Sequence, residues 1–166
     1  MRYVLVGFCV FAAACAGESS RAPTSPSSST GATAVTDAKA ASALPFKGTL
    51  EGTELAQGAA RHIDATGNAT HLGLFTLVSD FTVNTTTATG SGTSVWTAAN
   101  GDQILTSNIG HAIVRFPMVS VSETSTITGG TGRFLDASGS FMIERSVNLL
   151  THVTSGSFTG TINLDH

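Results

Sequence analysis

Two charged residues draw attention because each is alone on an otherwise apolar face. In VSVSETSTI, residues 119–127, strand alternation groups Val119, Val121, Glu123, Ser125 and Ile127 on one side. In FMIERSVNL, residues 141–149, it groups Phe141, Ile143, Arg145, Val147 and Leu149. A carboxylate and a guanidinium set in this way have two uses. They can form an internal ion pair that fills one level of a core, adding little net stability although loss of either partner costs roughly 3 to 5 kcal/mol. Alternatively, they line a cavity and orient a polar group of a ligand. An antiparallel pairing with Ile127 opposite Phe141 sets Glu123 opposite Arg145, and a slip of two residues leaves them diagonal neighbours.

Other reactive side chains form no familiar kit. The histidines at 62, 71, 111, 152 and 166 are scattered, and both cysteines lie within the first fifteen residues, so neither a metal nor a cofactor is expected. His71, in ATHLGLFT, shares a face with Phe75 and Leu77 and reads either as a hydrogen-bonded structural histidine or as a third cavity residue. Glu51 and Glu54 point to opposite faces of one strand and cannot work as a facing carboxylate pair. Asp102 and Asp136 fall in turns, where Asp bonds to nearby backbone. No Gly-x-Ser-x-Gly elbow stands between a strand and a helix, and GGTGRF has neither the Lys-Ser/Thr nor the helix of a phosphate loop. No catalytic residue is assigned; the cavity candidates are Glu123, Arg145 and His71. An isomerase or cyclase that needs none of these kits stays open, as does a structural or partner-binding module.

These residues must be positioned by strands. From Leu44 onward, apolar and polar residues alternate, with turn signals about every ten residues, the rhythm of an all-β sandwich or barrel. Strands are expected over residues 46–55, 59–64, 69–83, 93–98, 103–107, 112–116, 119–128, 140–149 and 157–164. Thr66-Gly67-Asn68 reads as a turn, and residues 69–83, apolar on both sides, as a central strand covered on both faces. Asn100-Gly101 predicts a type I′ hairpin, and Pro117 a strand end or an edge. Helix is limited to a turn near residues 134–137. About eight strands would close an antiparallel barrel, wide enough for side chains to fill or for one small ligand.

Composition narrows compartment and partners. The chain of 166 residues carries a net charge of −3 and no Lys/Arg cluster, which argues against a nucleic-acid partner. Residues 1–15, MRYVLVGFCVFAAAC, have Arg2, a short apolar run and small residues before Cys15, the pattern of an export signal too short to span a bilayer. AAAC resembles a lipobox, with Ala12 where Leu is usual, and implies lipidation at Cys15. The expected address is therefore the cell envelope, with the membrane reached through the lipid anchor alone; free secretion is the alternative. Residues 16–43, rich in Ser, Thr, Ala and Pro, have little to bury and read as a disordered linker. Residues 44–166 form the expected domain. It contains no cysteine, so an apolar core rather than a disulfide must hold it together. Oligomeric state is not readable from the sequence.

The stretch between the two charged strands, TITGGTGRFLDASGSF, puts Gly129, Gly130 and Gly132 at a sharp turn. With Thr131, Phe134, Ala137 and Gly139, these residues resemble the glycine turn of the allene oxide cyclase and dirigent proteins, where GGTGxF is followed by A-x-G. Fragments such as ATHLGLFT, TAANGDQI and SGSFTGTI also resemble uncharacterised bacterial exported proteins that carry the same turn. The resemblance implies an eight-stranded antiparallel barrel of allene oxide cyclase type. Plant members work largely by shaping a cavity, and none of their active-site residues maps onto this sequence. On these grounds the expected partner is a small apolar or amphipathic ligand.

Overall fold

The computed structural model describes residues 43–164. Eight antiparallel strands run in sequence order and close on themselves: β1 Leu44–Gln57, β2 Ala60–Ala69, β3 Gly73–Asn84, β4 Thr89–Ala98, β5 Gln103–Arg115, β6 Met118–Gly130, β7 Ser138–Asn148 and β8 Val153–Asn163. A short 3₁₀ turn, Gly132–Phe134, lies between β6 and β7. The leader, Cys15 and linker residues 16–42 lie outside the described residues.

Closure decides which way each side chain points. β1 pairs with β8 through Phe46↔Gly160 and Leu50↔Gly156, so the sheet has one interior and each strand buries alternate residues. This corrects the expectation for residues 69–83. The strand begins at Gly73, and Leu74 and Val78 lie exposed on its outer face, because a single-layered barrel covers only one side. Thr66-Gly67-Asn68 is not a turn either: β2 runs through it, and Gly67 leaves space that the Phe75 ring fills. The chain reverses instead at residues 70–72.

The other departures have local causes. Residues 103–107 and 112–115 belong to one strand, β5, because Asn108 and Gly110 continue its inward row; residue 116 falls in the turn that follows. At Asn100-Gly101 only Gly101 takes positive φ (89°), and its N–H donates to the Ala98 carbonyl at 2.9 Å. The loop is therefore a turn followed by a left-handed glycine rather than type I′. The β6–β7 register places Ile127 opposite Gly139, two residues from the expected Phe141. The connection is two residues shorter than expected: β7 already starts at Ser138 rather than 140, while the 3₁₀ turn tucks Phe134 into the core. Gly132, at φ 57°, has no room for a side chain because a Cβ would collide with the Asp102 carboxylate.

One end of the barrel is filled. Phe46, Phe75, Trp96, Phe141 and Phe158 pack with ring centroids 5.0–6.1 Å apart, and Ile104, Phe134 and Ile162 are fully buried with them. Arg133, at 4.7 Å over the Phe134 ring, donates through Nη2 to the Leu72 carbonyl at 3.4 Å and so straps this end shut. Phe158 touches four of the other rings. Its truncation to Ala is expected to cost about 3–5 kcal/mol. Urea unfolding followed by the emission of Trp96, the only tryptophan, will measure the loss; a cost below 1 kcal/mol would show the cluster to be loosely packed.

Candidate functional site

The opposite end is hollow. Inward positions there are small on β4 and β5, namely Gly90, Gly92, Gly110 and Ala112, whereas β3 and β6 supply Phe81, Val83, Val119 and Val121. The result is a cavity of about 270 Å³ that reaches the rim at Val114 and Leu149. Broader depressions of about 980 and 1040 Å³ on the outer wall lie open to bulk water. A polar floor and covered walls belong only to the smaller space.

Arg145, on β7, is the centre of that floor. Its Nε and Nη2 both donate to Glu123 Oε1, at 3.1 and 2.7 Å, while Nη1 donates to Glu54 Oε2 at 2.6 Å and to Thr154 Oγ1 at 3.2 Å. The side chains of Arg145, Glu123 and Glu54 are only 6, 5 and 12% exposed. Burial works against the charged guanidinium, but Glu123 and then Glu54 outweigh it and hold Arg145 above the ordinary arginine value. Across the β6–β7 pair, Arg145 stands opposite Val121 and Glu123 opposite Ile143, so the two charges meet diagonally. Gly110 makes this possible, since a Cβ there would crowd the Glu123 side chain.

The structure thus brings together Glu123 and Arg145 in the cavity, and it adds Glu54. The signal for Glu54 was present in strand parity, because Phe46, Leu50 and Glu54 occupy alternate positions of β1 that face inward. Of the pair Glu51 and Glu54, only Glu51 faces outward, as expected. His71 is a correction. It lies exposed in the β2–β3 turn with φ 63°, at the filled end, because the strand expected to carry it begins two residues later. The glycine turn, with Gly129, Gly130, Gly132, Phe134 and Gly139, also lies at the filled end and positions the site only through β6 and β7.

Alternation along β3–β6 also carried a polar belt that went unread. Ser79, Ser94, Asn108 and Ser125 point inward one layer below the floor. Ser79 and Ser94 are 2.6 Å apart, and Asn108 Nδ2 donates to Ser94 Oγ at 2.6 Å. Asn108 Oδ1 and Ser125 Oγ, on register partners, are buried without a partner. On the outer wall, His62 bridges Asp80, at 2.6 Å, and Asp64, at 3.3 Å. Among the described residues, no group of three His, Cys, Asp or Glu side chains is arranged to hold a metal.

Comparison of the chain with protein-family models, with curated proteins and with solved structures gave no match.

Two predictions follow from these charges. Replacing Arg145 by Met strands Glu54 and Glu123 in the floor and should cost roughly 3–5 kcal/mol at pH 7 by urea unfolding. Part of that loss should return as acid neutralises the carboxylates; an undiminished stability at pH 7 would mean that water already solvates them. For His62, the hydrogen bond to Asp80 leads in raising the imidazole above its ordinary value. The bridge therefore contributes fully below the unfolded-chain value and is lost as pH rises through the folded one. An NMR titration should show a raised midpoint that falls in Asp80→Asn, whereas equal midpoints would dissolve the bridge.

Proposed function

We propose that this domain is a binding module that takes up one small amphipathic molecule in the hollow end of the barrel. The observation that carries the reading is the cavity of about 270 Å³, with apolar walls, one charged floor and an apolar rim. Barrel mouths of this kind suit small ligands. Around the rim, Phe116, Leu150 and Val114 are 73, 66 and 62% exposed, so an apolar tail leaving the cavity would still find apolar surface. Binding is better supported than turnover, because the strongest donor in the cavity, Arg145, is already engaged by two carboxylates and a hydroxyl.

The glycine turn and the eight-stranded barrel are compatible with kinship to the allene oxide cyclase and dirigent proteins, which we propose as the fold family. That kinship supports a cavity as the working part and transfers no reaction. The leader supports an exported protein anchored through a lipid on Cys15 and working at the cell envelope, the linker acting as a tether.

One measurement tests these readings together. Native mass spectrometry of the full-length product purified from its own host should show a retained small molecule, released on unfolding. The mass of the same chain should begin at Cys15 and include acyl groups. An empty, fully folded barrel would remove the binding reading, and an unmodified N-terminus elsewhere would remove the anchor.

A further inference from the structure

Among the described residues, the mouth of the barrel is ringed by four turns, at residues 58–59, 85–88, 116–117 and 149–152. Neither these turns nor the two residues on each side of them include an Asp or a Glu, whereas Arg61, Arg115 and His152 are present. The connections at the filled end differ. They carry Asp102 and Asp136, and Asp136 stands beside the exposed Leu135.

Two of the mouth turns are joined into one apolar lip. The Leu149 N–H donates to the Pro117 carbonyl at 2.8 Å, which ties the β7–β8 turn to the β5–β6 turn. Phe116, Met118, Leu149, Leu150 and Val153 are exposed along it, and apolar surface of this kind on a folded domain marks a contact site. The backbone of the β7–β8 turn needs no water. Leu150 and Thr151 donate to Asn148 Oδ1 at 2.9 and 3.2 Å, and His152 donates to the Asn148 carbonyl at 2.7 Å. Val153 donates to Thr151 Oγ1 at 3.4 Å, and Pro117 in the adjoining turn has no N–H to satisfy. Every amide from Leu149 to Val153 therefore keeps a partner in a medium without water, where an unpaired one is costly.

A lipid surface fits these features better than a protein does. A stable protein interface takes roughly 20–30 residues from each side with matched shapes, and the lip offers a ridge of two short turns. A bilayer needs no matching face: apolar tips enter the boundary between head groups and acyl chains, and cations meet the phosphates. Arg115 is exposed next to Phe116 and takes part in none of the ion pairs among the described residues, so its charge is free for that use. Leu44 and Leu164 pack against the aromatic core, so the described chain begins and ends at the opposite end and leaves the lip uncovered.

We infer that the lip built around Phe116 and Leu150 docks on a membrane surface that carries anionic lipids, with the mouth of the barrel turned toward the bilayer. This goes beyond the binding reading and stands whether or not the cavity holds a ligand. It is also a contact separate from any lipid on Cys15.

The test is cosedimentation of residues 16–166 with vesicles of phosphatidylethanolamine and phosphatidylglycerol. This chain keeps all eight strands and lacks the leader and Cys15, so neither an acyl group nor the apolar leader contributes. It should partition onto these vesicles more strongly than onto phosphatidylcholine alone. Phe116→Ser combined with Leu150→Ser should weaken partition at least about tenfold, while far-UV circular dichroism and Trp96 emission stay unchanged because both side chains lie outside the core. Should that variant fail to fold, single reporters decide: Phe116→Trp should shift its emission to the blue when vesicles are added, and Leu135→Trp, at the filled end, should not. Absence of partition, equal partition onto both kinds of vesicle, undiminished partition of the double variant or an unshifted Phe116→Trp would each overturn the inference. A dimer that ignores vesicles and is lost in the double variant would also overturn it, making the lip an interface between copies.

Discussion

Closure of β1 against β8 is the constraint on which the rest of the structure depends. An open sheet of this sequence would have two faces to satisfy; the closed one has an inside and an outside, and each strand alternates between them. The circumference is then fixed, and residues on facing strands must share it. Where Phe75 and Phe158 occupy the interior, Gly67 and Gly48 on neighbouring strands provide the space. At the other end, Phe81 is the single phenyl ring in the lining, and beside the small residues on β4 and β5 the same geometry leaves a void. Filled and hollow ends are thus two outcomes of one rule about side-chain size at inward positions.

The outer wall follows from the same closure. With no free strand edge, the backbone has no unpaired ladder for another chain to join, and the wall can carry Ser and Thr in rows without inviting edge-to-edge pairing. The turns differ at the two ends. The β6–β7 connection, with its buried Phe134 and the Arg133 strap, covers the filled end, whereas the β5–β6 and β7–β8 turns expose Phe116 and Leu150 beside the opening. Polarity between the ends is therefore set in the loops as well as in the staves.

Alternation made the barrel legible: a period of two residues, repeated with turns about every ten, admits few other architectures. It also placed Glu123 and Arg145 on inward faces, because parity within one strand does not depend on how strands pair. Register was less legible. The compact 3₁₀ connection at Gly132–Phe134 leaves no mark in the alternation, and β7 pairs with β6 two residues earlier than the pattern suggested. Glycine misled in both directions. Gly67 lies within a strand to admit a ring and not to make a turn, while His71 takes the left-handed conformation where a glycine would be expected. Glu54 was missed for a different reason: its relation to Arg145 spans 91 residues and arises only when β1 closes on β8 beside β7. Local pattern fixes facing; contacts through closure need the circle.

A buried cluster of this kind is weak evidence for stability, since well-packed apolar residues of similar volume commonly serve a core as well or better. The neighbouring end of the same barrel shows that alternative, with five aromatic rings and no charge among them. Glu54, Glu123 and Arg145 stand where the packed core gives way to open space, and Thr154 completes their bonds from β8. In that position the guanidinium does for the carboxylates what a filled core would do for apolar groups: it fixes their geometry before anything enters. Polar groups held in place at the base of a cavity have little freedom left to lose, so the cost of ordering them has been met in folding. In the binding reading proposed above, charge placement more than cavity size would suit this barrel to a polar head and an apolar tail.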